Sequence, residues 1–243
     1  VYGRYPVLEP LEAGSVQRLV DEGARVTITG RKPEPLAQAA AELGGQGVAL
    51  PVAGRSDDPA HQEDAVARTV AELGSLDLLV NNTGINPAYG PLVELDLDAA
   101  RKIVEVNCLA ALSWVQCAHR AWMGEHGGAV VNVSSIAGLK PAPGIGFYGA
   151  SKAMLRHLTE ELAVELAPAV RVNAVAPAVV KTRFAAALYE GREADVARSY
   201  PMQRLGEPED VAGVVAFLLS RDAAWVTGET VVIDGGLTLT GGV

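Results

Sequence analysis

The chain alternates short, apolar, β-branched segments with longer amphipathic ones, and this alternation constrains its fold more than any other feature. Most of the apolar segments are continuous, which is typical of strands buried on both faces of a parallel sheet. They lie at 24–29, 47–52, 76–81, 129–134, 170–175 and 230–234. Helical patterns lie between them, near 34–43, 58–73, 96–124, 148–167 and 208–220. This order predicts an α/β fold with a doubly wound parallel sheet and three layers, as a single domain over 1–243.

Composition narrows the classes of partner. A net charge of -9 and a pI of about 5.0 argue against nucleic acid and anionic membranes as partners. We find no run of eighteen apolar residues and no signal-peptide pattern at the start of the chain. The only two cysteines, Cys108 and Cys117, read as free thiols in a reducing compartment, so we expect a cytoplasmic protein. The four histidines lack metal-ligand spacing, so we expect no metal site.

The least regular stretch is 182–206, which follows a predicted strand. Open parallel sheets bind ligands beyond the carboxyl ends of their strands. We therefore interpret 182–206 as a lid over a small-molecule substrate. An ordinary helical insertion is the alternative.

The sequence YGASK at 148–152 places Tyr148 and Lys152 one helical turn apart, on the same face of a predicted helix. A tyrosine has a pKa near 10, and a fixed ammonium nearby favours the phenolate and lowers that pKa. The pair can therefore act as a proton donor and acceptor. Alone it is weak evidence, because this spacing also arises by chance.

Two further polar residues raise the specificity of the pattern. Ser135 ends the predicted strand in VVNVSSIAG, where its hydroxyl can hydrogen-bond a substrate carbonyl. A capped turn is the alternative, and for Ser134 it is the better interpretation. Asn107 lies among apolar residues of a predicted helix, where a buried amide needs partners. A satisfied core amide is the alternative.

Together these residues resemble the Asn-Ser-Tyr-Lys tetrad of the short-chain dehydrogenases/reductases. Four segments resemble further motifs of that family in order and spacing, and the resemblance covers about 24–236. They are NNTG at 81–84, PAVVKT at 177–182, RLGEPEDVAGVVAFLLS at 204–220 and VTGETVVIDGG at 226–236. The resemblance implies a Rossmann-like fold and hydride transfer between a nicotinamide cofactor and a carbonyl or alcohol.

The resemblance also implies roles for the catalytic residues. Tyr148 would be the general acid in reduction and the base in oxidation, and Ser135 would orient the substrate oxygen. Lys152 would lower the pKa of Tyr148 and hold the nicotinamide ribose. Asn107 would hold a water that links Lys152 to solvent.

The same resemblance implies which residues bind the cofactor and how the chain assembles. Besides Tyr148 and Lys152, these residues are Asn82, Gly84, Pro177, Val180 and Thr182. Helices at 96–124 and 148–167 would pack against symmetry mates and give a homotetramer or homodimer. Trp114 and Trp122 could lie on that surface or in the core.

The choice of nicotinamide cofactor depends on the end of the second strand. An acidic residue there binds the ribose of NAD, whereas this chain has Thr29-Gly30-Arg31-Lys32. Arg31 can contact a 2′-phosphate in bidentate fashion. NADP(H) is therefore favoured over NAD(H), and a solvated basic turn is the alternative.

The pattern breaks at the family's glycine-rich phosphate loop. The stretch expected to hold it, 5–12, reads YPVLEPLE and contains no glycine. Its glutamates would repel a pyrophosphate. Three explanations remain: the N-terminal sequence is corrupted, the loop is lost and cofactor binding weakened, or the loop is built unconventionally. AGRSDD at 53–58 also lacks the acidic residue usually found at the end of the third strand itself, which puts the adenine contact in doubt.

Two functions remain at this stage. The first is an oxidoreductase that interconverts a ketone and a secondary alcohol, with 3-oxoacyl thioesters as the best single choice of substrate. The second is a catalytically silent scaffold or nucleotide sensor, which the glycine-free N-terminal stretch suggests. The complete tetrad argues for the enzyme.

Overall fold

The structure, a computed structural model, describes residues 5–6 and 14–240. Within these ranges seven strands pair in parallel, in two hydrogen-bonded groups ordered β1-β2-β3 and β4-β5-β6-β7. Strand β1 also lies against β4, which joins the groups in the order β3-β2-β1-β4-β5-β6-β7. The strands are Tyr5–Pro6 (β1), Val26–Gly30 (β2), Ala49–Ala53 (β3), Leu78–Asn81 (β4), Gly128–Val133 (β5), Val170–Pro177 (β6) and Thr230–Ile233 (β7).

Helices connect the strands. The α-helices are Gly14–Asp21 (α1), Pro33–Glu42 (α2), Pro59–Leu73 (α3), Leu97–Val104 (α4), Ala110–Ala118 (α5), Gly124–His126 (α6), Gly146–Leu166 (α7), Ala186–Tyr189 (α8), Glu193–Ala197 (α9) and Pro208–Leu219 (α10). Two π-helical turns, Glu105–Leu109 and His119–Met123, join α4, α5 and α6 into one continuous rod. Short 3-10 turns lie at Leu92–Glu94, Ile136–Gly138, Arg221–Ala223 and Leu237–Thr240.

Two hydrophobic cores cover the two faces of the sheet. Successive strand residues point to opposite faces, so Val80 joins one core and Leu79 the other. The first core packs α1, α2 and α10 on the sheet, and the second packs α3, α5 and α7. The predicted single three-layer α/β domain with a parallel, Rossmann-like sheet is confirmed.

The predicted strands and helices agree with the observed ones to within a few residues. One strand, β1, lies outside the predicted segments, and its Tyr5 and Pro6 pair with Val26 and Thr27 of β2. Two consecutive residues of the glycine-free stretch therefore occupy a strand next to β2. The rest of that stretch, 7–12, lies outside the described residues. The chain order reverses between β1 and β4, and doubly wound sheets bind ligands at such a point.

Candidate active site

The tetrad residues converge beyond the carboxyl end of β5. Ser135 lies two residues after this strand, and Tyr148 lies in the first turn of α7. Two glycines bring these elements together. A Cβ on Gly149 would lie 2.4 Å from the carbonyl oxygen of Ala137, and one on Gly138 would lie 2.8 Å from the backbone nitrogen of Ala153. The turn after β5 therefore packs directly on the backbone of α7.

Ser135 serves both this turn and Tyr148. Its Oγ accepts a hydrogen bond from the Ala137 amide at 3.2 Å, which begins the 3-10 turn. Its hydroxyl also hydrogen-bonds the phenolic oxygen of Tyr148. Ser134, which we expected to cap a turn, instead donates to the Lys152 carbonyl at 2.9 Å and ties β5 to α7. Adjacent serines therefore have different tasks.

Lys152 is a buried ammonium beneath Tyr148. Its side chain is 2% exposed, and Nζ donates to the Val133 carbonyl at 2.7 Å. Nζ lies 5.7 Å from the centre of the Tyr148 ring, within the range of a cation–π contact. Burial lowers the pKa of Lys152 to about 8, because desolvation disfavours its charged form.

Tyr148 has a pKa opposite in direction to our expectation. We predicted that Lys152 would lower the pKa of the phenol, whereas burial raises it to about 12, against the smaller effect of the Ser135 hydrogen bond. The physical reason is that removing a phenolate from water costs more than the Ser135 hydrogen bond returns. Tyr148 is therefore protonated at neutral pH.

Asn107 clamps the loop that follows β4. It is fully buried in the π-helical turn, where its Oδ1 accepts from the Ile85 amide at 2.8 Å. Its Nδ2 donates to the Ile85 carbonyl at 3.1 Å and to Ser151 Oγ at 3.0 Å. Both hydrogens of the amide are thus used. The side chain fixes Ile85 against α7, and a π-turn is often found at such functional positions.

The chain is similar to known proteins over most of its length. A family model described as Enoyl-(Acyl carrier protein) reductase matches residues 13–238. Dehydrogenase/reductase SDR family member 4 from Homo sapiens is 38% identical over 227 residues, covering 90% of this chain and 81% of that protein. The protein of the same name from Pongo abelii is 39% identical with the same coverage. The chain belongs to the short-chain dehydrogenase/reductase family.

Solved structures agree with membership of this family. A short-chain type dehydrogenase/reductase from Mycobacterium ulcerans has a TM-score of 0.91 and 33% identity, covering 98% of this chain and 90% of that chain. A structure described as ElxO with NADP bound has a TM-score of 0.88 and 28% identity, covering 98% of this chain and 100% of that one. As a short-chain dehydrogenase/reductase, the chain is an oxidoreductase for small-molecule substrates.

Family membership implies a nicotinamide cofactor, and the residues after β4 fit one. A Cβ on Gly84 would lie 3.2 Å from Lys152 Nζ, so the glycine keeps the space beside this ammonium open. Thr83 Oγ1 and Asn86 Oδ1, on either side, are buried without a hydrogen-bond partner among the described residues. Polar groups of this kind can receive a ligand. Asn82, also predicted to bind cofactor, precedes them and is partly buried.

The other predicted cofactor residues lie in two places. Pro177 ends β6, and the buried Val180 and Thr182 follow it at the same edge of the sheet as Tyr148. Arg31 is exposed directly after Gly30, the last residue of β2. After β3, Asp57 pairs with Arg55 and Lys102, and Asp58 caps α3.

Some features escaped the sequence analysis. The packing roles of Gly138 and Gly149 need the three-dimensional fold to be seen. Trp114 is 3% exposed and belongs to the core, where its Nε1 donates to the Ser56 carbonyl at 3.1 Å. Trp122 stacks on His126 with ring centres 3.8 Å apart.

No helix between residues 14 and 240 is long and apolar enough to span a membrane. In the same part of the chain, no cluster of three His, Cys, Asp or Glu side chains could hold a metal ion.

Proposed function

We propose that the chain reduces ketones to secondary alcohols with NADP(H), using Tyr148 as the proton donor. The observation that carries this proposal is the juxtaposition of three groups: the Ser135 hydroxyl, the Tyr148 phenol and the buried ammonium of Lys152. A nicotinamide nucleotide supplies the hydride when bound. The residues of the chain then orient the carbonyl and deliver the proton.

The protonated phenol of Tyr148 is the form that a proton donor needs. With its pKa raised to about 12, the phenol carries its proton at neutral pH and can donate it to the carbonyl oxygen. Ser135 donates a hydrogen bond to the same oxygen as charge develops there. Lys152 stabilises the phenolate that remains, because the cost of forming it falls beside a cation.

Asn107 supports this site in a different way from the one that the resemblance suggests. Its amide holds Ile85 and Ser151, so the structure supports a positioning role for the loop beside Lys152. A water that links Lys152 to solvent stays a prediction. Asn82, Gly84, Pro177, Val180 and Thr182 are proposed to contact the cofactor.

For the cofactor we propose NADP(H) over NAD(H). Arg31 and Lys32 follow β2, and both are exposed, so an incoming 2′-phosphate can reach two cations. The related structure described with NADP bound agrees with this choice. For the substrate, 3-oxoacyl thioesters are the first class to test among other ketones. The stretch 182–206 is proposed as the substrate lid.

The decisive experiment combines a carbonyl panel with the variant Tyr148→Phe. We expect the native protein to oxidise NADPH with at least one ketone or 3-oxoacyl thioester, and the variant to lose at least about a hundredfold in kcat, as is usual for a general acid. NADPH fluorescence titration of the variant serves as the control for cofactor binding. An undiminished kcat would refute the role of Tyr148.

The silent scaffold or nucleotide sensor remains the second candidate, because residues 5–12 contain no glycine. The two candidates make opposite predictions for one measurement. Absence of NADPH binding, with the N-terminal sequence confirmed by intact mass, would support the scaffold. Binding followed by turnover would support the enzyme.

Assembly and location are also proposals. We expect a homotetramer or homodimer built on the rod from α4 to α6 and on α7, which light scattering tests directly. Cys108 and Cys117 are both free and buried, which suits a reducing compartment such as the cytoplasm.

A further inference from the structure

The segment after β6 carries an aromatic residue close to Tyr148. Phe184 lies two residues after Thr182, whose Oγ1 accepts a hydrogen bond from the Ala185 amide at 3.3 Å. This contact forms a turn before α8. Ala185 is buried at the turn, whereas Phe184 points outward.

The ring of Phe184 lies beside that of Tyr148. The ring centres are 6.1 Å apart and the ring planes meet at 43°, within the distance at which aromatic rings interact. The side chain of Phe184 is nevertheless 60% exposed. One edge of the ring thus borders the proton donor, while much of its apolar surface still faces water.

A purely structural role does not account for this placement. Tyr200, on the same segment, is 3% exposed, and its hydroxyl accepts a hydrogen bond from the Val179 amide at 3.4 Å. Tyr200 therefore holds the segment to the end of β6. Phe184 contributes little burial, and a smaller side chain there would leave the core unchanged.

We propose that Phe184 is a specificity-determining residue that packs against an aryl or similarly flat apolar substituent of the ketone. This inference rests on the proposed function, because it needs the carbonyl to lie at Tyr148. A substituent seated beside Phe184 removes the exposed ring surface from water and adds an aromatic contact. A ketone with only small alkyl groups is too short to cover the Phe184 ring or to make an aromatic contact with it.

The test compares two ketones on three variants. Acetophenone and butanone are assayed with NADPH on the native protein, Phe184→Ala, Phe184→Leu and the control Phe217→Ala. Phe217 is 46% exposed on α10. Its replacement by alanine therefore removes the same kind of side chain as Phe184→Ala, but from another element. Thermal unfolding checks that each variant is folded.

We expect Phe184→Ala to lower kcat/KM for acetophenone roughly tenfold, mainly through KM, and to change that for butanone by less than about twofold. Phe184→Leu should recover part of the loss, and Phe217→Ala should leave the ratio of the two ketones unchanged. An equal loss of kcat/KM for both ketones, or no loss for either, would overturn the specificity role of Phe184 and leave the proposed reductase function intact. A native protein that reduces no carbonyl of any class with NADPH would overturn the proposed function and this inference together.

Discussion

Lys152 shows how one residue links catalysis to stability. Its ammonium is 2% exposed, and its hydrogen bond to Val133 does not offset the loss of water, so its pKa falls to about 8. Lys152 therefore holds its proton less tightly in the folded protein than in the unfolded chain. Such a residue is expected where function needs the charge.

This imbalance predicts a specific pH dependence of stability for Lys152→Met. Below pH 8 the lysine is protonated in both the folded and the unfolded state. Between pH 8 and its ordinary pKa of 10.5 the unfolded state binds more protons, so the native protein gains stability as pH rises. The methionine variant lacks this gain. The difference in unfolding free energy, native minus variant, should rise by about 3 kcal/mol across this window.

Urea unfolding of both proteins at several pH values from 7 to 10.5 measures this difference. Titrating groups distant from Lys152 are shared by the two proteins and cancel in the comparison. Its neighbours Cys108 and Tyr148, with pKa values raised to about 11 and about 12, ionise above this range. Curves that stay parallel over the whole range would show that Lys152 is not desolvated as the structure has it.

The residue types of the candidate site could be predicted from the sequence, but their energetics could not. Spacing and position after a strand indicate Tyr148, Lys152 and Ser135. The predicted direction of the shift in the Tyr148 pKa was wrong, because the extent of burial depends on distant packing that spacing does not encode. Likewise, the apolar surroundings of Asn107 predict a buried amide, but not its partner Ile85, which lies in the loop after β4.

At the scale of elements, the site depends on how closely the turn after β5 approaches α7. Gly138 faces the backbone of Lys152 and Ala153 in α7, and Gly149 faces the carbonyl of Ala137 in the turn, so neither position has room for a side chain. This approach brings Ser135 to Tyr148. Strands and helices could be predicted because they produce a periodic pattern of apolar residues. A close contact between two backbones requires only a glycine in the sequence, and glycines occur for many other reasons.

The packing predicts different outcomes for two glycine-to-alanine changes in α7. Alanine favours a helix over glycine by about 1 kcal/mol, so propensity alone would make either change stabilising or neutral. At Gly149 the new Cβ would lie 2.4 Å from the Ala137 carbonyl, and rigid backbone must move. At Gly146 it would lie 3.2 Å from the side chain of Leu92, which can adjust.

We therefore expect Gly149→Ala to lower the unfolding free energy by about 1–3 kcal/mol and to reduce kcat, as an overpacked site does. Gly146→Ala, the matched control, should change stability by less than about 1 kcal/mol. Thermal unfolding and NADPH oxidation measure both. Equal effects of the two substitutions would contradict the close approach.

At the scale of the whole molecule, charge opposes the binding of a phosphorylated cofactor. The chain has a net charge of -9, so its average field repels anions. Attraction must come from local cations, and Arg31 and Lys32 are exposed at the end of β2. The sequence predicted this pair, since it follows directly from the position of the strand.

The last prediction separates the local charge from the average field. Arg31→Asp should lower the ratio of kcat/KM for NADPH to that for NADH at least about tenfold, because the carboxylate repels a 2′-phosphate and can accept a hydrogen bond from the 2′-hydroxyl of NADH. Arg221→Asp, at another exposed position, makes the same change in net charge and should leave the ratio nearly constant. Steady-state kinetics with both cofactors measure the two ratios. Equal shifts in both variants would assign the preference to the overall field, and no shift in either would remove Arg31 from the cofactor site.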